Sequence, residues 1–318
     1  MKKAFIRIGI GVGAVIALII VFLLGLTVFH RISLGFEQAQ LIPPGHMVEV
    51  HGEMMHVYLT GENDEAPLLV FLPSSGRFAP VYSFRPLYSL LTDYYRIAVI
   101  DRFGYGYSDF TDAPRDIGTI VSEIRTALSY LGETGSFVLL PHSIGGLEAL
   151  RWAQLYPEEI AGIISIDMAH PAVFLDGHIP PGFPVSHLVA SRVGIMRIPF
   201  FNALLYPYPV DEHTLTQGEH NQQRLLTNRN FGNRTVVAER VAAIPNSQII
   251  SDEVLPNVPT LLLVSTVFNE RFWVPYKEEL ARQMDAQIEF FDSPHVLHQY
   301  EPERIAGLIH AFISELQE

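Results

Sequence analysis

The chain has 318 residues, no cysteine and a formal net charge of −13. Its length allows one large domain or two small ones, and the lack of cysteine excludes disulfides, thiolate metal sites and a cysteine nucleophile. The acidic balance argues against nucleic acid as a partner.

The N-terminus stands apart. Lys2, Lys3 and Arg7 precede an uncharged apolar run over residues 8–29. Such a run reaches roughly 33 Å at about 1.5 Å per residue, enough to cross a bilayer core. A cleavable signal would have a shorter apolar core and a small-x-small site, and Phe29-His30-Arg31-Ile32 offers none. The expectation is a retained signal anchor over residues 1–34, with a cleaved signal as the alternative. Three basic residues before the span and one just after it predict a cytoplasmic N-terminus with the remainder extracytoplasmic. That remainder carries 17 basic and 34 acidic residues. Gly9 and Gly13 form a Gly-x-x-x-Gly pair, but glycine is common in such spans.

A short proline-containing linker is expected over residues 38–45. Two strands around a glycine turn follow, over residues 47–53 and 55–59. Residues 68–72 are all apolar, as in a strand buried on both faces. Residues 96–100, 136–140, 161–166, 260–264 and 287–291 resemble them. Helical patterns lie between, over residues 81–91, 117–131, 145–156, 275–284 and 302–316. This alternation predicts an α/β domain: a mostly parallel central sheet flanked by helices. It breaks between Pro171 and Pro256, a stretch rich in proline, aromatics and polar helical pattern. We expect a helical cap there, giving an anchor (1–34), a core in two parts (35–170 and 257–318) and a cap (171–256). No repeat, phosphate loop or dinucleotide signature is present.

The chemistry concentrates in Leu140-Pro141-His142-Ser143-Ile144-Gly145-Gly146. A serine between a buried strand and a helix, with small residues close behind it, reads as a nucleophile elbow. The turn is tight, so only compact side chains fit two positions before and after the serine. The helix beneath then offers N–H donors to a developing oxyanion. Pro141 replaces the usual first glycine and brings no N–H.

With Asp101-Arg102-Phe103-Gly104-Tyr105-Gly106-Tyr107-Ser108-Asp109 before this turn and His295-Val296-Leu297-His298-Gln299-Tyr300-Glu301-Pro302 after it, the chain resembles the α/β-hydrolase superfamily from Met47 onward. The resemblance implies the α/β-hydrolase fold, with Ser143 as nucleophile and His295 as general base. A serine hydroxyl needs an imidazole to take its proton and return it to the leaving group. His298 is the rival base. Two histidines at this spacing also suggest a metal, but no acidic cluster accompanies them, so neither metal nor cofactor is expected.

The acid is open. The commonest family position follows the strand at residues 260–264, where only Glu270 is available. The alternative position is Asp167, at the end of the preceding strand, and it is favoured. For the oxyanion hole the family's His-Gly is replaced by Pro73-Ser74-Ser75-Gly76. The backbone N–H groups of Ser75 and Ile144 are the candidates, with the Ser75 hydroxyl as an extra donor.

His142 and the Asp101 loop are read as structural, Trp152 and Trp273 as core or pocket wall, and the Asn233-Arg234-Thr235 sequon as a chance match. The expected activity is hydrolysis of an ester or amide of a small to medium apolar molecule through an acyl-enzyme, carboxylesterase being the leading class. Two alternatives stand beside it. One is a proline-releasing aminopeptidase using Glu212, Glu219 or Glu239 to hold an amine. The other is a non-catalytic binding protein on a hydrolase fold. Relatives with an aspartate nucleophile for haloalkanes or epoxides are disfavoured, because residue 143 is serine. The expected partners are a small-molecule substrate and a lipid bilayer, through residues 8–29.

Overall fold

Continuous apolar runs become buried strands. In the computed structural model, which describes residues 2–63, 66–180, 182–205, 214–268 and 270–317, the strands are β1 (His46–Val50), β2 (Glu53–Thr60), β3 (Leu68–Leu72), β4 (Ile97–Asp101), β5 (Phe137–Pro141), β6 (Ile160–Ile166), β7 (Thr260–Ser265) and β8 (Gln287–Phe291). They form one sheet in the order β1-β2-β4-β3-β5-β6-β7-β8. β1 and β2 are antiparallel to each other, and β2 to β4. From β4 to β8 every pairing is parallel. Every residue of β3, β4, β5 and β7 is buried, as a parallel strand covered on both faces requires.

The helices in chain order begin with α1 (Lys2–Gln38), α2 (Pro80–Ser83), α3 (Arg85–Tyr88), α4 (Ile117–Tyr130) and α5 (Gly145–Leu155). Next come α6 (Ala172–Leu175), α7 (Val185–Val193), α8 (Pro199–Leu205), α9 (Gln217–Asn230) and α10 (Arg234–Ser251). The last are α11 (Glu270–Met284), α12 (Leu297–Tyr300) and α13 (Pro302–Leu316). The helix expected over residues 81–91 is instead the broken pair α2 and α3. Pro86 has no N–H and its ring clashes with the preceding turn, so the helix restarts at Arg85. The helix expected from Pro275 begins five residues earlier, with Pro275 inside it. Among the described residues between Pro171 and Pro256 there is no strand.

The chain divides into two compact units, Ile42–Phe183 with Val210–Glu318, and Met1–Leu41 with Pro184–Pro209. In the larger unit the side chains of each strand alternate between faces. Val70, Leu72, Ile100 and Leu139 pack with Ile120 and Ile124 of α4 and Leu150 and Trp152 of α5. Leu69, Phe71, Val99 and Leu140 pack with Ile305, Ile309 and Phe312 of α13. β3 lies between β4 and β5, so the connections leaving β3 and β5 diverge. A crevice opens at such a switch point, at the carboxyl ends of the strands. α9 and α10 dock on the loop after β4. Asn230 Nδ2 donates to Phe78 O and Gly106 O, and Thr235 Oγ1 donates to Thr111 O.

In the smaller unit α1 is long and apolar enough to span a bilayer, with a mean hydropathy of 3.0 over its most apolar window. It runs through the expected linker start to Gln38. Within the unit α1 packs with α7. Arg197 donates from Nη1 and Nη2 to the two carboxylate oxygens of Glu37 at 2.7 and 2.6 Å, and from Nε to His30 Nδ1 at 2.8 Å.

Candidate active site

The turn between β5 and α5 is built by what it excludes. Ser143 has φ of 54°, a left-handed conformation that costs a non-glycine residue roughly 1–2 kcal/mol. A Cβ on Gly145 would lie 2.7 Å from Leu72 O and 3.1 Å from Pro73 O. One on Gly146 would lie 2.7 Å from Met168 Cβ. Both glycines are therefore steric requirements of the turn. Gly145 N–H donates to His142 O and Gly146 N–H to Ser143 O, both at 3.0 Å. The Ile144 N–H is outside these bonds, and α5 has no side-chain N-cap. Donors at such a helix start are available to an anion.

Asp167 directly follows β6, with φ of 54°. Its Oδ2 lies 2.6 Å from His295 Nδ1, and its Oδ1 accepts from Trp273 Nε1 at 2.6 Å. The Asp167 side chain is fully buried and that of His295 is 15% exposed. A carboxylate accepts only, so Nδ1 carries the hydrogen, which in the neutral tautomer leaves Nε2 as the acceptor. Phe268 stacks on the His295 ring with centroids 4.2 Å apart. His142 Nε2 lies 3.1 Å from His295 O. Burial, then the charges of His295, His298 and Arg77, keep the His142 ring well below the usual histidine range.

Sequence reasoning missed Lys277. Its ammonium is fully buried, 3.8 Å from Asp167 Oδ1 and 4.2 Å from the Trp273 ring centroid. It has no hydrogen-bond partner among the described residues. Burial pushes it down to about 8, while the Asp167 charge works the other way. Trp273 and Lys277 are spaced i, i+4, so they share one face of α11. Starting that helix at Pro275 hid the spacing.

The loop after β3 is held from below by a second buried cation, also missed. Arg102 Nη1 donates to Pro73 O at 2.8 Å and also contacts Glu148 of α5. Its Nη2 donates to Glu239 of α10 at 3.1 Å, and Tyr105 Oη donates to the same carboxylate oxygen at 2.8 Å. One guanidinium thus faces two buried carboxyl groups. Burial pushes the Glu148 carboxyl up, against the pull of Arg102. On the loop itself, Ser75 Oγ is buried and has no hydrogen-bond partner among the described residues.

The remaining candidates separate. His298 is fully buried, with Nε2 3.3 Å from Ser83 Oγ, its ring against Phe84 and its Nδ1 without a hydrogen-bond partner among the described residues. Burial, then the charges of Arg77 and His295, hold it well below the usual range. The side chain of Glu270, and all of Glu212, lie outside the described residues. Glu239 is taken up by Arg102 and Tyr105. Glu219 closes a capping box with Thr216 on α9 and pairs with Arg85 at 2.5 Å. Asn233 caps α10, accepting from Thr235 and Val236 N–H. Asp101 is buried with His56 Nδ1 at 2.7 Å and accepts from Tyr107 N–H. A cavity of about 350 Å³, bounded by His170, Glu253, Leu255 and Gln283 among others, is lined by none of Ser143, Asp167 and His295.

Similarity to known proteins agrees with this architecture. Residues 67–253 match the model of the alpha/beta hydrolase fold family. YbdG of Bacillus subtilis is 30% identical over 317 residues, covering 95% of each chain. Epoxide hydrolase 4 of Mus musculus is 25% identical, over 83% of this chain and 77% of its own. The structure of a thermophilic esterase from Thermogutta terrifontis superposes with a TM-score of 0.57 at 20% identity, covering 86% of this chain and 97% of its own; at that identity it speaks to the fold alone. The sheet order, the strand-to-helix turn at Ser143 and the family match over more than half the chain lead to one conclusion: the protein belongs to the alpha/beta hydrolase fold family and is a hydrolytic enzyme.

Proposed function

We propose that the protein is a serine hydrolase that cleaves an ester of a small to medium apolar substrate through an acyl-enzyme. The observation that supports this best is the 2.6 Å pair of His295 Nδ1 and Asp167 Oδ2, at the same sheet edge as the strained Ser143 turn. Ser143 Oγ attacks the carbonyl carbon while its proton passes to His295 Nε2. The oxyanion that forms accepts hydrogen bonds from the Ser75 and Ile144 N–H groups, with the unpartnered Ser75 hydroxyl as a further donor. The C–O bond to the leaving alcohol then breaks as His295 returns the proton. Water, deprotonated by the same ring, attacks the acyl carbon and releases the acid and Ser143.

Serine at position 143 also bears on the epoxide chemistry named for the mouse relative. A carboxylate that opens an epoxide forms an ester that water can cleave. A serine would form an ether, which water does not cleave under these conditions. The aminopeptidase alternative draws no support from Glu219 or Glu239, both engaged by other side chains.

The same reading places the enzyme on a membrane, held by the apolar residues 8–29 of α1, with the N-terminus cytoplasmic. Within the stretch 171–256, α9 and α10 of the larger unit act as the cap.

Activity-based labelling of the detergent-solubilised full chain with a tagged fluorophosphonate, beside Ser143→Ala, tests the nucleophile. Labelling of the wild type and its loss in the variant are expected. A folded wild type that does not label, or a variant that still labels, overturns the reading.

A further inference from the structure

Residues 184–205 lie within the stretch read as cap, yet they share a unit with α1 rather than with the sheet. In a chain of net charge −13 this segment has Arg192 and Arg197 and no acidic residue. Four of its apolar side chains are largely uncovered. Val185 and Val189 on α7 are 75% and 55% exposed, and Phe200 and Leu204 on α8 are 69% and 63% exposed. Each pair is spaced i, i+4, so each helix presents one apolar strip. Arg192, also exposed, falls seven residues after Val185 and extends the α7 strip with a cation.

The level of this segment along α1 is set by three contacts inside the unit. Arg197 Nε donates to His30 Nδ1 at 2.8 Å, and its guanidinium lies 5.9 Å from the Phe29 ring centroid. Gly194, with φ of 75°, meets the His30 side chain so closely that a Cβ there has no room. Phe29 is the last residue of the uncharged run and His30 the first residue after it. Glu37, the second partner of Arg197, lies about 10 Å further along the helix axis. The segment is thus tied to α1 at the point where the chain would leave the hydrocarbon.

We propose that α7 and α8 are a lipid-docking surface. Val185, Val189, Phe200 and Leu204 insert between the headgroups and upper acyl chains of the leaflet at the C-terminal end of the span, and Arg192 sits on lipid phosphate. Apolar strips flanked by arginine and lacking acidic residues suit an anionic interface, where such helices lie in the membrane plane. The cationic segment offers that surface a complement that the acidic remainder of the chain does not. This inference rests on the reading of α1 as a retained anchor.

The chain has no cysteine, so single cysteines can carry a polarity-sensitive nitrobenzoxadiazole fluorophore. The full chain is reconstituted into phosphatidylcholine–phosphatidylglycerol vesicles with the label at Val185, Val189, Phe200 or Leu204. Leu18→Cys, in mid-span, and Tyr130→Cys, on the larger unit, are the references. The four surface positions are expected to emit to the blue and to lose most of their emission to nitroxide near the headgroups, with little loss to nitroxide at the bilayer centre. Leu18 should be quenched by the deep nitroxide and Tyr130 by neither. Water-like, unquenched emission at the four positions beside a quenched Leu18 overturns the lipid surface and leaves the anchor standing. A water-like Leu18 removes the anchor, and this proposal with it. Blue emission that no lipid nitroxide quenches, and that depends on protein-to-lipid ratio, assigns the patch to a second copy of the chain and also overturns the proposal.

Discussion

Asp167 divides its two oxygens between two side chains, with Oδ2 2.6 Å from His295 Nδ1 and Oδ1 2.6 Å from Trp273 Nε1. The indole fixes the plane of the carboxylate, and the carboxylate fixes the plane and tautomer of the imidazole. Asp167→Asn keeps the shape but offers Nδ1 an amide in place of a charge. We expect kcat to fall by on the order of 10⁴ with KM little changed, whereas Glu270→Gln should change kcat less than about twofold. Ester-hydrolysis kinetics of the two variants decide the acid, and the opposite pattern would transfer the role to Glu270.

Gly145→Ala tests the coupling between the nucleophile turn and the loop after β3. The added methyl would meet two backbone carbonyls, Leu72 O at 2.7 Å and Pro73 O at 3.1 Å, neither of which can turn aside as a side chain would. The loop bearing Ser75 must shift. The expected result is a loss of kcat of about 10²-fold, the effect of a misplaced oxyanion donor, with a cost of about 1–3 kcal/mol in stability. Denaturant titration alongside initial rates separates the two.

Removing the cation at Arg102 and neutralising one of its partners should have unequal effects. Arg102→Met removes the cation that Glu148 and Glu239 share, leaves Glu239 buried without it, and should cost about 3–5 kcal/mol. Glu148→Gln should cost about 1 kcal/mol or less at neutral pH, because burial already favours the protonated carboxyl. The sign with pH follows. The folded-state pKa of Glu148 lies above its usual 4.5, so its contribution is complete below that pH and is lost as pH rises toward the raised value. Urea titrations across that window should show the Gln variant gaining on the wild type.

Lys277 makes the opposite pH prediction. Its folded pKa is depressed, from 10.5 to about 8, so folding opposes its charged form. The unfolded chain holds the extra proton between these values, and stability therefore rises with pH across them. Lys277→Met removes this dependence. The Met variant should gain most on the wild type below pH 8 and lose that advantage as pH approaches 10.5. A constant difference between the two proteins over this range would show that the ammonium is not held against its charge.

Retention of the anchor has its own check. Full-length protein should stay with the membrane through a high-salt wash and alkaline extraction, and its N-terminal peptide should be intact by mass spectrometry. Recovery as a soluble chain beginning beyond residue 29 would convert α1 into a removed leader.

The elements that recur through local patterning were legible from residues alone. Leu68–Leu72 is a strand over the residues that its apolar run occupies, Gln287–Phe291 is a strand over the expected bounds, and Pro302–Leu316 is a helix from its opening proline. Ser143 was visible because its turn leaves a local trace, a strand before and paired glycines behind. Where a proline interrupts a pattern the reading was poorer, as at Pro86 and Pro275, because packing decides whether a helix stops or continues there. The Asp167–His295 pairing was favoured only from the family resemblance, and the partners of the buried cations left no trace in the sequence at all. Asp167 stands 128 positions from His295 and 106 from Trp273, and Arg102 stands 46 from Glu148 and 137 from Glu239. Periodicity reports only neighbours a turn or a pleat apart. What the sequence by itself determined was therefore the sheet, its flanking helices and the turn at Ser143. Only the tertiary structure decided which carboxylate meets His295 and which cations, Lys277 and Arg102, stand behind Asp167 and the loop after β3. A buried charge has to find its counter-charge wherever the fold brings one, and chain order does not record that meeting.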